Sequence, residues 1–384
     1  MPYSVPWSSR HKKVTGGLPF SLSNSFAEPL SNKELIERSL ARDDQNIVDE
    51  YHNHSLEYTP NGGSLDVREE IANLYGSKIT ADNIVVFAGG QVALQTAAIA
   101  LLNKNDHAIV FTPGYQSVQV APLHAGCQIT KIRIYPENRW QIKPDEVEAA
   151  IQENTKYIVI NEPYNPAGTL MNHETQQRLK EIAEKNDLYF MSDEAYRLLE
   201  HDKKDRLLAM ADFYQKGISA CTFSKPWGGC GITIGWLAFQ EMSIKEKLFD
   251  VQYFGTACPS RASELQTMMA LRSSDDILER NIKIIHHNLS LLDQFFEDYS
   301  DLFEWERPNA GAIAYVKFKG PLTTEELGAE LAKEGISIKP AYVFSDGIED
   351  YDDYFRIGFG ESIMPKALEA LRKFVEKHKN SWLA

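Results

Sequence analysis

The sequence predicts an α/β protein built on a mostly parallel sheet with helices on both faces. Three observations carry that reading. Short apolar runs of strand length recur from residue 84 onward, helical stretches lie between them, and long helices take over after about residue 243. Strands alternating with helices give parallel sheets, because each crossover helix returns the chain to the same end of the sheet. The mixed tail that follows reads as a smaller α+β unit.

In chain order, residues 1–30 are rich in Ser, Pro and Gly and read as an arm that other structure must order. Helical spacing covers 65–75, the run 84–87 is a buried strand, and 91–102 is an Ala-rich helix. Strands follow at 107–111, 129–134 and, most apolar of all, 156–160. A helix with a charged outer face spans 173–186, and further strands span 188–192, 218–222 and 233–239. Long helical stretches cover 244–254 and 260–296, the second broken near Ser273, Ser274, Asp275 and Asp276, which suit an N-cap. A strand at 312–318, a helix at 324–334, a strand at 354–358 and a helix at 365–378 complete the chain. Ligands in open α/β sheets collect at the carboxyl ends of strands, so the loops there are where chemistry is expected.

At 384 residues the chain exceeds one simple core and fits one large and one small unit. Apolar residues make up 43% and charged residues 24%, ordinary values for a globular protein. A net charge of -14 argues against nucleic acid or an anionic membrane as partner. Cys127, Cys221, Cys230 and Cys258 lack the close pairing of a zinc or redox motif, and a disulfide framework is not expected at this length. His52 and His54 have no evident third ligand, so no metal is expected. The N-terminus has no apolar core of a signal peptide and no segment approaches a membrane span, which leads to the expectation of a cytoplasmic protein with reduced thiols.

Three segments sit where predicted strands end. Asn-x-Pro-x-Asn-Pro-x-Gly occupies 161–168, Asp-x-x-Tyr occupies 193–196, and Ser224-Lys225 opens a Gly-rich turn through Gly228, Gly229, Gly231 and Gly235. The turn Gly89-Gly90-Gln91 opens a helix after a strand, where free N–H groups and the helix dipole suit an anion. Asp193 and Glu194 are neighbours at a strand end and point to opposite sides, so they are not read as a catalytic pair.

Together these motifs resemble the class I/II aminotransferase superfamily, the fold-type I enzymes that use pyridoxal 5'-phosphate (PLP). The likeness runs from about Tyr58 to the end, with the landmarks in family order. It implies a mostly parallel, mixed seven-stranded sheet between helices plus the smaller α+β domain. The expected division is an arm with part of the small domain at 1–50, a large PLP-binding domain at 51–275 and a small domain at 276–384. The resemblance implies that Lys225 carries the cofactor as a Schiff base and moves the substrate's Cα proton. Asp193 would pair with the pyridine nitrogen, Asn165 and Tyr196 would hold the phenolic oxygen, and Tyr115 would stack on the ring. Gly89, Gly90, Gln91, Thr222 and Ser224 would hold the phosphate. Tyr58 resembles the tyrosine that reaches the phosphate of a neighbouring subunit, implying a homodimer with shared active sites. Arg356, in Tyr354-Phe355-Arg356-Ile357-Gly358, resembles the arginine that grips the substrate α-carboxylate, a role that its bidentate fork suits. Ser25, Phe26 and Ala27 stand where the family folds an N-terminal segment over the substrate, and Asn165 would also line that space.

Two positions depart from the family pattern. Thr233 stands where relatives place an arginine on the cofactor phosphate, and Ala167 stands where they place a threonine. The implied reaction is transamination of an amino acid. The alternative is elimination, cyclisation or oxidation of an arginine-type amino acid, since the segment 311–318, the serine-rich N-terminal segment and Thr233 also resemble capreomycidine-synthase-like enzymes.

Overall fold

A computed structural model describes residues 5–11, 18–345 and 351–383. Its main sheet has seven strands in the spatial order Ile84–Phe87, Gly235–Phe239, Gly217–Thr222, Tyr189–Asp193, Thr155–Asn161, His107–Thr112 and Gln128–Arg133. From Gly217–Thr222 to Gln128–Arg133 neighbouring strands run parallel, whereas Gly235–Phe239 is antiparallel to both its neighbours. The sheet is therefore mixed and mostly parallel, as expected. Ile84–Phe87, His107–Thr112 and Gly235–Phe239 are buried along their whole length, which is why they read as continuous apolar runs. The edge strand Gln128–Arg133 stays partly exposed and carries Gln128, Lys131 and Arg133.

The strand expected at 233–239 begins later, at Gly235. Thr233 has a left-handed φ of 58° and belongs to the preceding turn. The helical stretch expected at 260–296 divides into Arg261–Leu271 and Ser274–Asp298, with Ser273 at the junction but without a side-chain cap bond.

A second, antiparallel sheet has the order Lys339–Pro340, Tyr354–Gly358, Ile313–Phe318 and Phe303–Glu304. Helices Ser274–Asp298 and Met364–Leu383 cover it through a core that includes Ile285, Leu292, Phe295, Val316, Leu371 and Phe374. Two helices that sequence periodicity did not reveal, Asn32–Ala41 and Gln45–Asn53, place Leu35, Ile47 and Val48 in one core with Val67, Ile84 and Trp236. Ahead of them Phe20–Ser21 pairs in parallel with Ile336–Ser337, and the chain then meets Lys225, just past the carboxyl end of Gly217–Thr222, through the Ala27 N–H.

Candidate active site

Asn161, Asp193 and Thr222 terminate three adjacent parallel strands, with Asn161 opposite Asp193 and Asp193 opposite Ala220 in register. Parallel strands end on the same rim, so the loops after them meet. Asp193 is buried, and its Oδ1 accepts one backbone bond from the Ala195 N–H at 3.2 Å. Burial pushes its carboxyl up to about 7, while the Ala195 N–H and Lys225 pull it down and Glu194 adds to the rise. Glu194 turns away, accepting from the Met210 N–H at 2.7 Å and from Ser219 Oγ at 2.8 Å. The two acids separate to opposite sides, as the strand geometry requires.

Lys225 follows Gly217–Thr222, and its Nζ donates to Ser25 Oγ at 2.9 Å and lies 6.0 Å from the Phe26 ring centroid. Burial holds its ammonium below the ordinary lysine range, with Cys230, Tyr115 and Asp193 acting the other way and Arg356 in the same sense. The N-terminal segment is pinned here by backbone. The Ala27 N–H donates to Lys225 O at 3.1 Å and the Gly358 N–H donates to Leu22 O at 2.7 Å. A Cβ on Gly358 would lie 1.7 Å from Asn24 O, so only glycine lets the segment cross so closely. Ala27 has its methyl fully buried in the core, and its N–H is the group that meets Lys225.

Arg356 is buried opposite this segment. Its Nη1 donates to Asn165 Oδ1 at 2.9 Å and its Nη2 to Ser23 O at 2.8 Å, while Nε–H is buried without a partner. The guanidinium lies 5.2 Å from the Phe344 ring centroid. The buried Tyr196 hydroxyl bonds Ser25 and feels the charge of Arg356. Ser25, Asn165, Tyr196, Lys225 and Arg356 thus form one constellation, with Asp193 beneath it.

The phosphate side is built from Gly89, with φ 104°, and the helix Gly90–Leu101. A Cβ on Gly235 would lie 2.3 Å from Gly90 N, so this glycine allows the turn to sit against the sheet. Thr222 Oγ1 donates to Ser224 Oγ at 3.1 Å and accepts from the Ser224 N–H at 3.3 Å. The Gln91 amide donates to the Tyr115 hydroxyl and, at 3.1 Å, to Ser117 Oγ. Tyr115 sits at the start of Gln116–His124 and feels both Lys225 and Asp193. Thr233 flanks Gly89, its Cγ2 3.7 Å from where a Cβ on that residue would be, and its hydroxyl donates to Gly231 O at 3.4 Å. Among the described residues no Lys or Arg bonds Thr222, Ser224 or Thr233. Tyr58 is 92% exposed, and none of these bonds reaches it.

These groups fit PLP. A buried carboxylate with one N–H partner among the described residues suits a protonated ring nitrogen, a lysine whose ammonium burial holds below its ordinary range suits imine formation, and the Gly89–Gln91 turn suits a phosphate. When bound, PLP supplies the electron sink for breaking bonds at the amino acid's Cα. Four site residues had no motif to announce them: Ser23, which positions Arg356 through its carbonyl, Phe344 against the guanidinium, Cys230 near Lys225, and Lys339 beside Arg356. The strand pattern around Lys339 was the one available signal, since a lysine between the buried Ile338 and Pro340 is unusual in a covered strand.

Comparison with known proteins agrees with this geometry. The sequence model of the family described as "Aminotransferase class I and II" matches residues 38–372. A probable aspartate aminotransferase of Methanocaldococcus jannaschii is 25% identical over 355 residues, covering 90% of each chain. A PLP-dependent aminotransferase from Streptococcus suis superposes with a TM-score of 0.90 at 26% identity, covering 98% of this chain and 99% of that one. The PLP-dependent cyclase OrfR superposes at 0.86 with 22% identity over 98% of each chain, a likeness of fold. The motif order, the mixed seven-stranded sheet and the family match together show that this chain belongs to the class I and II aminotransferases, enzymes that work with pyridoxal 5'-phosphate.

Proposed function

We propose that the constellation around Lys225 transfers the amino group of an amino acid to an oxo acid. The observation that carries this reading is the placement of Lys225 Nζ, half-buried and bonded to Ser25, in the field of both Asp193 and Arg356. Lys225 Nζ would take the proton from the substrate Cα and return it to the cofactor carbon on the other side of the amino nitrogen, and burial, which lowers its ammonium below the ordinary lysine range, favours the base form that this needs. Asp193 would hold the ring nitrogen's proton, Asn165 and Tyr196 would orient the phenolic oxygen, and Tyr115 would pack on the ring. Arg356 grips the α-carboxylate, with Ser25 and Phe26 closing the space above. Gly89, Gly90, Gln91, Thr222 and Ser224 would hold the phosphate. The test is incubation of holoenzyme with single amino acids, hydroxyarginine among them, in the presence of an oxo acid. Formation of the matching oxo acid and a new amino acid is expected; ammonia or a ring-closed product would assign elimination or cyclisation instead.

The working unit in this reading is a homodimer in the cytoplasm. Leu56, Tyr58, Tyr253 and Phe254 are exposed on segments that the bond from Thr59 Oγ1 to Pro259 O, 2.6 Å, draws together, and such apolar clusters favour a partner surface. Tyr58 of one subunit would then complete the phosphate site of the other. The four cysteines are free thiols, as suits a reducing compartment.

Two outcomes follow from the anion-binding groups. Arg356→Lys keeps the charge but loses the fork, and is expected to weaken amino-acid binding about 10- to 100-fold in a spectral titration, the size of one charge-assisted bond. Unchanged affinity would remove Arg356 from the carboxylate site. Thr233→Arg is expected to tighten PLP binding about 10- to 100-fold in titrations of the apoenzyme, since a hydroxyl cannot neutralise a phosphate dianion. Looser binding in that variant would mean that another cation already fills the place.

A further inference from the structure

Lys339 lies on the edge strand of the second sheet, directly opposite Arg356 in antiparallel register. Tyr315 faces Arg356 from the other side, so Lys339, Arg356 and Tyr315 form one cross-strand row on one face of that sheet. Directly opposed residues in such a row have neighbouring side chains. The Arg356 guanidinium in this row reaches Asn165 and the carbonyl of Ser23, so the face it shares with Lys339 is the one turned to the active site.

A lysine on an edge strand ordinarily keeps the edge solvated and blocks pairing with other chains. Lys339 does not match that description. It is half-buried, and among the described residues no carboxylate pairs with it. Burial, then the charges of Arg356 and Lys225, lower its ammonium to about 8. Three cations therefore share this space, and Asp193 is the carboxylate acting on Lys225. The roles proposed above use Lys225 for the cofactor, Asp193 for the ring nitrogen and Arg356 for the α-carboxylate. Lys339 is left over. A substrate with one carboxylate leaves a half-buried ammonium uncompensated beside a guanidinium, whereas a substrate with two carboxylates pairs both.

We propose that Lys339 is a specificity-determining residue that pairs with a second anionic group of the substrate, so that the site takes a dicarboxylic amino acid or oxo acid as at least one of its two substrates. The proposal rests on the transamination reading for the place of Arg356, and its test separates the two. Glutarate and valerate have five carbons each, carry two and one carboxylates, and lack the amine, so neither reacts. Calorimetric titration of holoenzyme is expected to show glutarate bound more tightly than valerate. Lys339→Met should weaken glutarate about 10- to 100-fold, the size of one charge-assisted bond, and leave valerate unchanged. Lys339→Arg should retain the preference, and the visible absorbance of lysine-bound PLP in each variant reports that the site has folded. Equal loss of both ligands in a folded Lys339→Met would place the ammonium on the α-carboxylate and overturn the proposal, as would glutarate binding that is unchanged or never preferred. Oxo acid release from glutamate and from norvaline is measured alongside. If the glutarate preference depends on Lys339 but neither amino acid yields an oxo acid, the second-anion site stands and transamination falls. If oxo acids form but the preference is absent, the reverse holds.

Discussion

Lys225→Ala is expected to lose the visible absorbance of the lysine-bound cofactor and to reduce oxo acid formation to background. The variant removes two things at once: the amine that holds PLP covalently and the group that moves the Cα proton. Proton transfer by a positioned side chain is alone worth roughly 10²–10⁴ in rate, and loss of the covalent step adds to it. The scaffold should survive, because the neighbouring contacts of this segment are made by backbone, with Lys225 O accepting from the Ala27 N–H at 3.1 Å. Ser25 loses its bond from Nζ but keeps Tyr196 as a partner. An unchanged melting temperature together with lost turnover is therefore the expected pair of results. Turnover within tenfold of wild type would contradict the assignment.

Asp193→Ala is expected to cost about a thousandfold in turnover or more, beyond any loss of cofactor affinity. A buried charge placed where charge develops in the reaction contributes on the order of 10²–10³ per group, because the water-excluded site does not screen it. Asp193 meets that condition: it is buried, and its one backbone donor is Ala195 N–H. Saturating PLP during the assay separates weaker binding from a weakened electron sink. If excess PLP restores near wild-type rates, Asp193 serves only to hold the cofactor. The isosteric Asp193→Asn is the companion variant, since it keeps the packing and removes the charge.

The sheet was legible because its strands are covered on both faces and so appear as unbroken apolar runs, each expected within about two residues of where it lies. The site was legible because three motifs fall at the ends of adjacent strands. Other features were hidden for physical reasons. Gln116–His124 has Pro122 inside it and little helical periodicity, so neither propensity nor pattern marks it. Asn32–Ala41 did carry a signal, the capping box of Ser31 and Glu34, but weak periodicity after it concealed the helix. The late start of the strand at Gly235 comes from the left-handed Thr233, which a β-branched residue does not advertise. Phe344 and Ser23 act by a ring face and a backbone carbonyl, features shared by most residues and visible only in three dimensions. The part played by Lys339 depends on register with Arg356, and register cannot be read from one strand alone.

Borohydride reduction of holoenzyme, followed by digestion and mass spectrometry of the peptides, locates the residue that holds the cofactor. A single phosphopyridoxyl group is expected, on the peptide containing Lys225, and none in Lys225→Ala. A reduced adduct on any other lysine in the wild type, or an adduct that persists in the variant, would contradict the role given to Lys225.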